Sequence, residues 1–230
     1  MNKKQILFGI LFPLLMFNQV WCQQKKMHLD DFEAPIGEWF ECGEAKLNSV
    51  DAKRLTSLRG EGVFVNGKAG RIINLISKEN FQDVHLTLEF MVSLGSNSGV
   101  YLQGRYEIQI FDSWGKENPV SWDCGGIYAR YDGTKTYEGI APSTNACKAP
   151  GEWQHLEIEF NAPRFNSNGE KTKHAMFKKV KLNGITVHEN AAVTGPTASS
   201  LDEKEEPLGP LMLQGDHGPV AYRNIILTKL

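Results

Sequence analysis

The residues best suited to chemistry lie between Ser96 and Trp114, in the sequence SNSGVYLQGRYEIQIFDSW. Glu107 and Asp112 are carboxylates, a residue type that serves in general acid–base catalysis. The polar side chains that alternate with apolar ones in this stretch are Tyr101, Gln103, Arg105, Glu107 and Gln109. Because successive side chains of a strand point to opposite faces, these side chains would share one face of two adjacent strands. We expect this face to form the floor of a binding site.

Similar alternation predicts the strands that must position this floor. The other predicted strands cover Val63–Val65, Arg71–Ile76, Val84–Val92, Trp153–Phe160, Ala175–Leu182, Ile185–His188, Leu211–Gln214 and Val220–Leu230. Asn183-Gly184 predicts a type I′ hairpin, and a turn is expected at Asn97-Ser98-Gly99. Residues 112–150 are expected to form long loops, and only residues 199–206 look helical or disordered. The pattern predicts an all-β antiparallel sandwich of two sheets with roughly a dozen strands.

Composition and length are those of a globular chain of 230 residues, with 41% hydrophobic and 23% charged residues. A formal net charge of −2 gives no electrostatic argument for nucleic-acid binding. Since all-β sandwiches of this length often form one unit, we expect a single domain over residues 27–230.

The N-terminus has the features of a secretory signal. Lys3 and Lys4 precede an apolar run from Ile6 to Phe17, which is short for a membrane span. We expect residues 1–22 to be a signal peptide, and the mature protein to be periplasmic or secreted. A lipid anchor on Cys22 is the competing interpretation, although the bulky Trp21 disfavours it.

Three cysteines remain after such a cleavage, and an oxidising compartment permits one disulfide among them. Cys124 and Cys147 flank one long loop region, so we expect them to be the pair and Cys42 to be free, although spacing alone does not fix the connectivity. No C-x-x-C spacing is present, and we predict no metal site.

A polar floor on the outer face of a sandwich, walled by long loops, has the shape of a carbohydrate cleft. Trp114, Trp122 and Tyr128 lie in the predicted loops. Their rings could stack on the apolar side of a sugar or cap the core instead.

Several motifs in order resemble the 3-keto-disaccharide hydrolase family. They are NSGVYLQGRYEIQIFDS, GGIY from Gly125, Ala141-Pro142, GEWQHLEIEF from Gly151, LNG from Leu182 and GPLMLQGDHGPVAYRNIILTKL from Gly209. The family is described as 3-keto-glucoside 1,2-lyase and 3-keto-2-hydroxy-glucal hydratase. The resemblance spans the mature chain and implies a concanavalin-like jelly roll that acts on glycosides in the periplasm.

That chemistry needs a base near C2, because a ketone at C3 makes the C2 proton acidic, together with donors around the C3 oxygen and an acid near the leaving oxygen. The catalytic candidates are Glu107, Asp112 and His217. The candidates for substrate binding are Arg71, Tyr101, Gln103, Arg105, Gln109, Trp114, Tyr128, Gln214 and Asp216. No G-x-G-x-x-G fingerprint follows a strand, so we predict no cofactor and a separate sugar 3-dehydrogenase upstream.

Two alternatives remain open. Glu107 to Asp112 has a spacing similar to the E-x-D-x-x-E motif of laminarinase-type glycoside hydrolases, in which a bulge brings the third acid onto the face of the first two. Gln109 stands in place of the middle acid, which weakens the case for direct hydrolysis by two carboxylates. A carbohydrate-binding module without catalysis is the other alternative, since this fold hosts both functions.

Overall fold

A computed structural model describes residues 24–33, 39–67 and 69–230. Its strands in chain order are β1 (Gln24–Lys26), β2 (Trp39–Leu47), β3 (Leu55–Asn66), β4 (Leu75–Phe81), β5 (Val84–Val92), β6 (Asn97–Leu102), β7 (Tyr106–Phe111), β8 (Arg130–Tyr131), β9 (Thr136–Tyr137), β10 (Gln154–Asn161), β11 (Arg164–Phe165), β12 (Lys171–Lys173), β13 (Ala175–Leu182), β14 (Ile185–Val193), β15 (Gly209–Leu213) and β16 (Val220–Lys229). One 3₁₀ turn covers Leu29–Asp31. The predicted signal peptide lies outside the described residues.

The strands form a sandwich of two main antiparallel sheets. The larger sheet has the order β14-β13-β10-β5-β16-β3-β2, with β1 also paired to β16, and the smaller has the order β4-β15-β6-β7. Two two-stranded ribbons, β8-β9 and β11-β12, add to them. The protein is therefore an all-β jelly-roll sandwich, as the alternation predicted.

The core lies between the two sheets and is built from alternate residues of both. Phe90, Phe160 and Phe177 come from the larger sheet, and Val100 and Ile108 from the smaller; all are fully buried. Burial of one face of each strand favours the sandwich, because each buried aliphatic or aromatic side chain contributes about 1.5–3 kcal/mol. The opposite face of the smaller sheet does not contribute to this core, so its side chains can form a site.

Most predicted strands are confirmed, and the departures have local causes. Asn183 and Gly184 have φ values of 53° and 83°, as a type I′ turn requires. The segment predicted as a strand over residues 71–76 pairs only from Leu75 onward, because residues 71–74 form the wall of an open groove. Residues 97–99 begin β6 rather than a turn.

The chain from 194 to 208 forms neither helix nor strand, so of the two expectations for residues 199–206, helical or disordered, the helical one is wrong. Carbonyl groups of this segment accept hydrogen bonds from the side chains of Tyr101, Gln103 and Arg105 rather than from backbone N–H groups of a helix. Within the described residues, no helix is long and apolar enough to cross a membrane.

The predicted Cys124–Cys147 disulfide is also corrected, since the three described cysteines are free thiols. The two thiols nevertheless lie side by side and share a hydrogen bond. This bond lowers the pKa of Cys147, the more accessible of the two.

Candidate active site

The smaller sheet turns a polar face away from the core, and strand register fixes which side chains are neighbours. β6 pairs with β7 so that Tyr101 lies opposite Glu107 and Gly99 opposite Gln109. β15 adds Met212 beside Tyr101. The chain after β7 folds back along the outer edge of that strand, because Ile127 forms an antiparallel β-bridge with Ile108. Tyr128 and Gly126 are consequently placed next to Glu107 and Gln109.

Glu107 is the central group of this face. Only 2% of its surface is exposed. Burial raises its pKa to about 8, a hydrogen bond from Tyr101 acts in the opposite direction, and the charge of Asp216 raises the pKa further. A carboxyl with this pKa accepts a proton more strongly than an ordinary one, and perturbed groups of this kind cluster at active sites. Glu107 is therefore suited to proton transfer.

Gly99 leaves the space into which the Glu107 carboxylate points. A Cβ placed on Gly99 would lie 2.1 Å from Glu107 Oε1 and 2.9 Å from its Cδ. Gly99 has a neighbour on each side in the sheet. Gln109 of β7 is its partner across the strand pair, and Gln214, which follows β15, donates its backbone N–H to Gly99 O. The Glu107 carboxylate therefore packs directly against the Gly99 backbone, in the space that a side chain at position 99 would take.

The amides of Gln109 and Gln214, whose backbones flank Gly99, have unused hydrogen-bonding capacity. Gln109 donates to the carbonyl of Trp122 at 3.3 Å. The buried Oε1 atoms of Gln109 and Gln214 have no hydrogen-bond partner among the described residues. Because a buried polar atom without a partner costs about 1–3 kcal/mol, such atoms are favourable positions for the hydroxyl groups of a ligand.

Two tyrosines complete the surroundings of Glu107. Tyr101 is buried, and the single proton of its hydroxyl has two acceptors within reach, the carbonyl of Ala198 at 3.2 Å and the carboxylate of Glu107. Tyr128 is only partly covered. Desolvation and the nearby charge of Glu107 raise the pKa of both hydroxyls. Both therefore remain protonated donors at neutral pH.

The predicted residues His217, Asp216 and Arg71 lie at the rim. His217 Nδ1 is 2.5 Å from Asp216 Oδ1, and both side chains are about half exposed. Asp216 and Arg71 line the same open groove together with Asn74. Since the charge of Asp216 acts on Glu107, this rim adjoins the buried carboxyl.

Gln103 and Arg105 lie in the turn between β6 and β7 rather than on the predicted strand face. Arg105 donates from Nε to Lys204 O at 2.7 Å and from Nη1 to Gln103 O at 3.0 Å. Gln103 Nε2 donates to Pro207 O at 3.0 Å, whereas its buried Oε1 has no hydrogen-bond partner among the described residues. These bonds hold the segment around residues 204–207 against the turn, and the substrate-binding role of both residues stays a prediction.

Asp112 is not brought together with Glu107. β7 pairs regularly with β6 up to Phe111, so the bulge that the laminarinase-type motif needs is missing from this strand. The Asp112 carboxylate instead accepts a hydrogen bond from Gly95 N at 2.8 Å. Trp114 and Trp122 are 63% and 55% exposed in the loop that follows, with the Trp122 carbonyl beside Gln109.

Three contributors were not predicted from the sequence. Thr197 Oγ1 accepts from Glu107 N at 3.2 Å, Ser98 Oγ donates to the Gln214 carbonyl at 2.7 Å, and Gly99 leaves room for the Glu107 carboxylate. Ser98 and Gly99 had been interpreted as turn residues. Only the glycine within a strand carried a recognisable signal, because such glycines often mark a close approach.

Comparison with known proteins identifies the family of this chain. The sequence profile of the 3-keto-alpha-glucoside-1,2-lyase-like domain matches residues 23–228. The chain belongs to this family. Membership in the 3-keto-alpha-glucoside-1,2-lyase-like family makes the protein a carbohydrate-active enzyme of the hydrolase or lyase kind, and it confirms the resemblance drawn from the motifs.

Solved structures agree with the fold. A proposed glycosyl hydrolase from Parabacteroides distasonis ATCC 8503 is 26% identical with a TM-score of 0.60, covering 87% of this chain and 84% of that one. A second from the same organism is 22% identical with a TM-score of 0.58, covering 90% and 100%. No curated protein sequence matches the chain.

Proposed function

We propose that the protein cleaves 3-keto-glycosides by removing the C2 proton and expelling the C1 substituent, and that it hydrates the resulting 3-keto-2-hydroxy-glucal. The observation that carries this proposal is the buried Glu107, with its pKa raised to about 8, on the polar face of the smaller sheet beside Tyr101 and Gly99. A proton next to a ketone is weakly acidic, and a general base works best when its pKa is near the working pH.

Glu107 is the proposed base. Its carboxylate takes the C2 proton, and the electron pair of the C2–H bond forms the enolate of the C3 ketone. When the enolate collapses, the C1–O bond breaks, a C1–C2 double bond forms and the ketone returns. Gly99 allows the carboxylate to take this position, since a Cβ there would lie 2.1 Å from Glu107 Oε1.

The hydroxyl of Tyr128 is the proposed donor to the C3 oxygen. Its place beside Glu107 and its raised pKa let it donate while the carboxylate is ionised. Donors at the atom where negative charge develops stabilise the transition state more than the ground state. The unpaired amide oxygens of Gln109 and Gln214 would accept from sugar hydroxyls, and His217 at the rim is the proposed acid for the leaving oxygen.

Export and an upstream partner belong to the same proposal. A signal peptide over residues 1–22 would deliver the enzyme to the periplasm or beyond, and 27–230 would form its single domain. Because no dinucleotide fingerprint occurs in the sequence, a separate dehydrogenase would have to oxidise C3 before this enzyme acts.

The test is incubation of the purified protein with a 3-keto-glucoside and with its unoxidised parent, followed by product analysis. We expect cleavage of the oxidised sugar only. In deuterated water the C2 hydrogen of the 3-keto sugar should exchange, and the exchange should be lost in Glu107→Gln. Equal turnover of the parent glycoside would support direct hydrolysis, and binding of both sugars without product would support a binding module.

A further inference from the structure

A second groove lies beside the smaller sheet, outside the residues assigned above to the sugar ring. Its volume is about 620 Å³, within the range that holds small ligands. It is lined by the ribbon β8-β9 and by the chain from 196 to 203, with Arg130, Tyr131, Tyr137, Ser199, Ser200 and Glu203 as its principal side chains. We refer to it as the Arg130 groove.

The Arg130 groove shares two of its lining residues with the surroundings of Glu107. Thr197 and Ala198 line it, and these residues bind Glu107 N and the Tyr101 hydroxyl respectively. The ribbon provides a second connection. The pairing of Ile127 with Ile140 continues in the same register to Arg130 with Tyr137, so the chain from Tyr128 to Tyr131 is extended and spans about 10 Å.

The lining has unused hydrogen-bonding groups and aromatic surface. Arg130 Nε is buried and has no partner among the described residues. Ser199 adopts a left-handed conformation with φ of 61°, which is uncommon for residues other than glycine and is often found at functional sites. Tyr131 is 53% exposed, and its hydroxyl is fixed by a bond to Gly133 O at 2.8 Å. A ring held in this way can stack on the apolar side of a sugar.

The charges of the groove are mainly negative. The guanidinium of Arg130 is paired with Glu138 and stacks over Tyr137, so its positive charge is largely compensated. Asp132 and Glu203 also line the groove. Hydrogen bonds from Thr134 and Lys135 lower the pKa of Asp132 and keep it ionised. An anionic ligand would be repelled from this surface.

We propose that the Arg130 groove binds the leaving group of the glycoside and selects a neutral, polyhydroxylated ring over an anionic one such as a uronic acid. This inference rests on the proposed function, because it assigns the part of the substrate that departs when the bond to C1 breaks. The ring stacks on Tyr131, and its hydroxyls bind Ser199, Ser200 and Arg130 Nε.

The test compares two neutral substrates that share the 3-keto-glucosyl ring. One is the methyl glycoside, which cannot reach the groove, and the other carries a second neutral hexose. Tyr131→Ala should lower kcat/KM for the disaccharide about 5- to 10-fold, the size of one aromatic contact, and leave the methyl glycoside unchanged. Tyr131→Phe, which keeps the ring, is the matched control and should retain activity on both.

A second experiment changes one charge and tests the selectivity against anionic leaving groups independently. Glu203→Gln should raise kcat/KM for a uronic acid leaving group about two- to fivefold relative to the neutral disaccharide, as expected for one exposed charge. Equal effects of Tyr131→Ala on both neutral substrates, or no change in the preference against the uronic acid, would overturn the inference. If the wild-type enzyme cleaves neither 3-keto substrate, the proposed function fails instead.

Discussion

The replacement Glu107→Gln tests both the chemistry and the energetics of the buried carboxyl. The amide keeps the size of the side chain beside Gly99 and Tyr101 but accepts no proton. Turnover of the 3-keto-glucoside should fall about 10²- to 10⁴-fold, the usual contribution of general acid–base catalysis. Sugar binding, measured by calorimetry, should persist.

The same variant should change the pH dependence of stability. Between the usual carboxyl pKa of 4.5 and the folded value of about 8, the folded protein holds a proton on Glu107 that the unfolded chain lacks. Wild-type stability should therefore fall as the pH rises through this range and then level off. At about 1.4 kcal/mol for each pH unit, the effect amounts to about 5 kcal/mol.

Chemical denaturation at pH 4.5, 6.5 and 8.5 measures this effect. Glu107→Gln should gain stability relative to wild type across the series, whereas Glu61→Gln, at an exposed position of β3, should follow the wild type. Over the same range, wild-type kcat/KM should rise with pH to about 8, because the base must be ionised. A variant with near-full activity, or with the wild-type pH dependence of stability, would refute the reasoning.

Three further changes test the surroundings. Gly99→Ala places a Cβ against the Glu107 carboxylate, so kcat/KM should fall at least about tenfold with a loss of about 1–3 kcal/mol in stability; unchanged kinetics would show that activity does not depend on the position of the carboxylate beside Gly99. Gln214→Leu should raise KM about two- to tenfold with little change in kcat, as for one lost hydrogen bond, and an equal fall in kcat would contradict a binding role. Iodoacetamide should label Cys147 before Cys42, because a hydrogen bond from Cys124 lowers the pKa of Cys147 whereas burial raises that of Cys42; peptide mapping showing the reverse order would contradict this.

The sequence by itself determined the fold class and the centre of the site. Predominant alternation of apolar and polar residues over Val84–Val92 and Ala175–Leu182 predicted strands with the observed bounds, because one face of each is buried in the core. The same period placed Tyr101, Glu107 and Gln109 on one face. The face on which a strand residue lies depends only on its position in the alternation. This arrangement could therefore be predicted from the local sequence.

The tertiary structure decided which polar groups remain available for a ligand. Arg105 and Gln103 have the same alternation as Glu107, but they are bound by carbonyl groups from a segment about 100 residues away. Asp112 lies away from Glu107 because β7 pairs regularly with β6 up to Phe111, and its carboxylate accepts a hydrogen bond from Gly95 N in the turn before β6.

The raised pKa of Glu107 likewise depends on segments that are distant in the sequence. It comes from burial beneath returning segments and from the charge of Asp216, and neither is a property of the strand that carries Glu107. Periodicity fixes the direction of a side chain, whereas desolvation and hydrogen-bond partners depend on how remote segments pack. The sequence could therefore name the carboxyl, but only the packed structure gives it the pKa of a base.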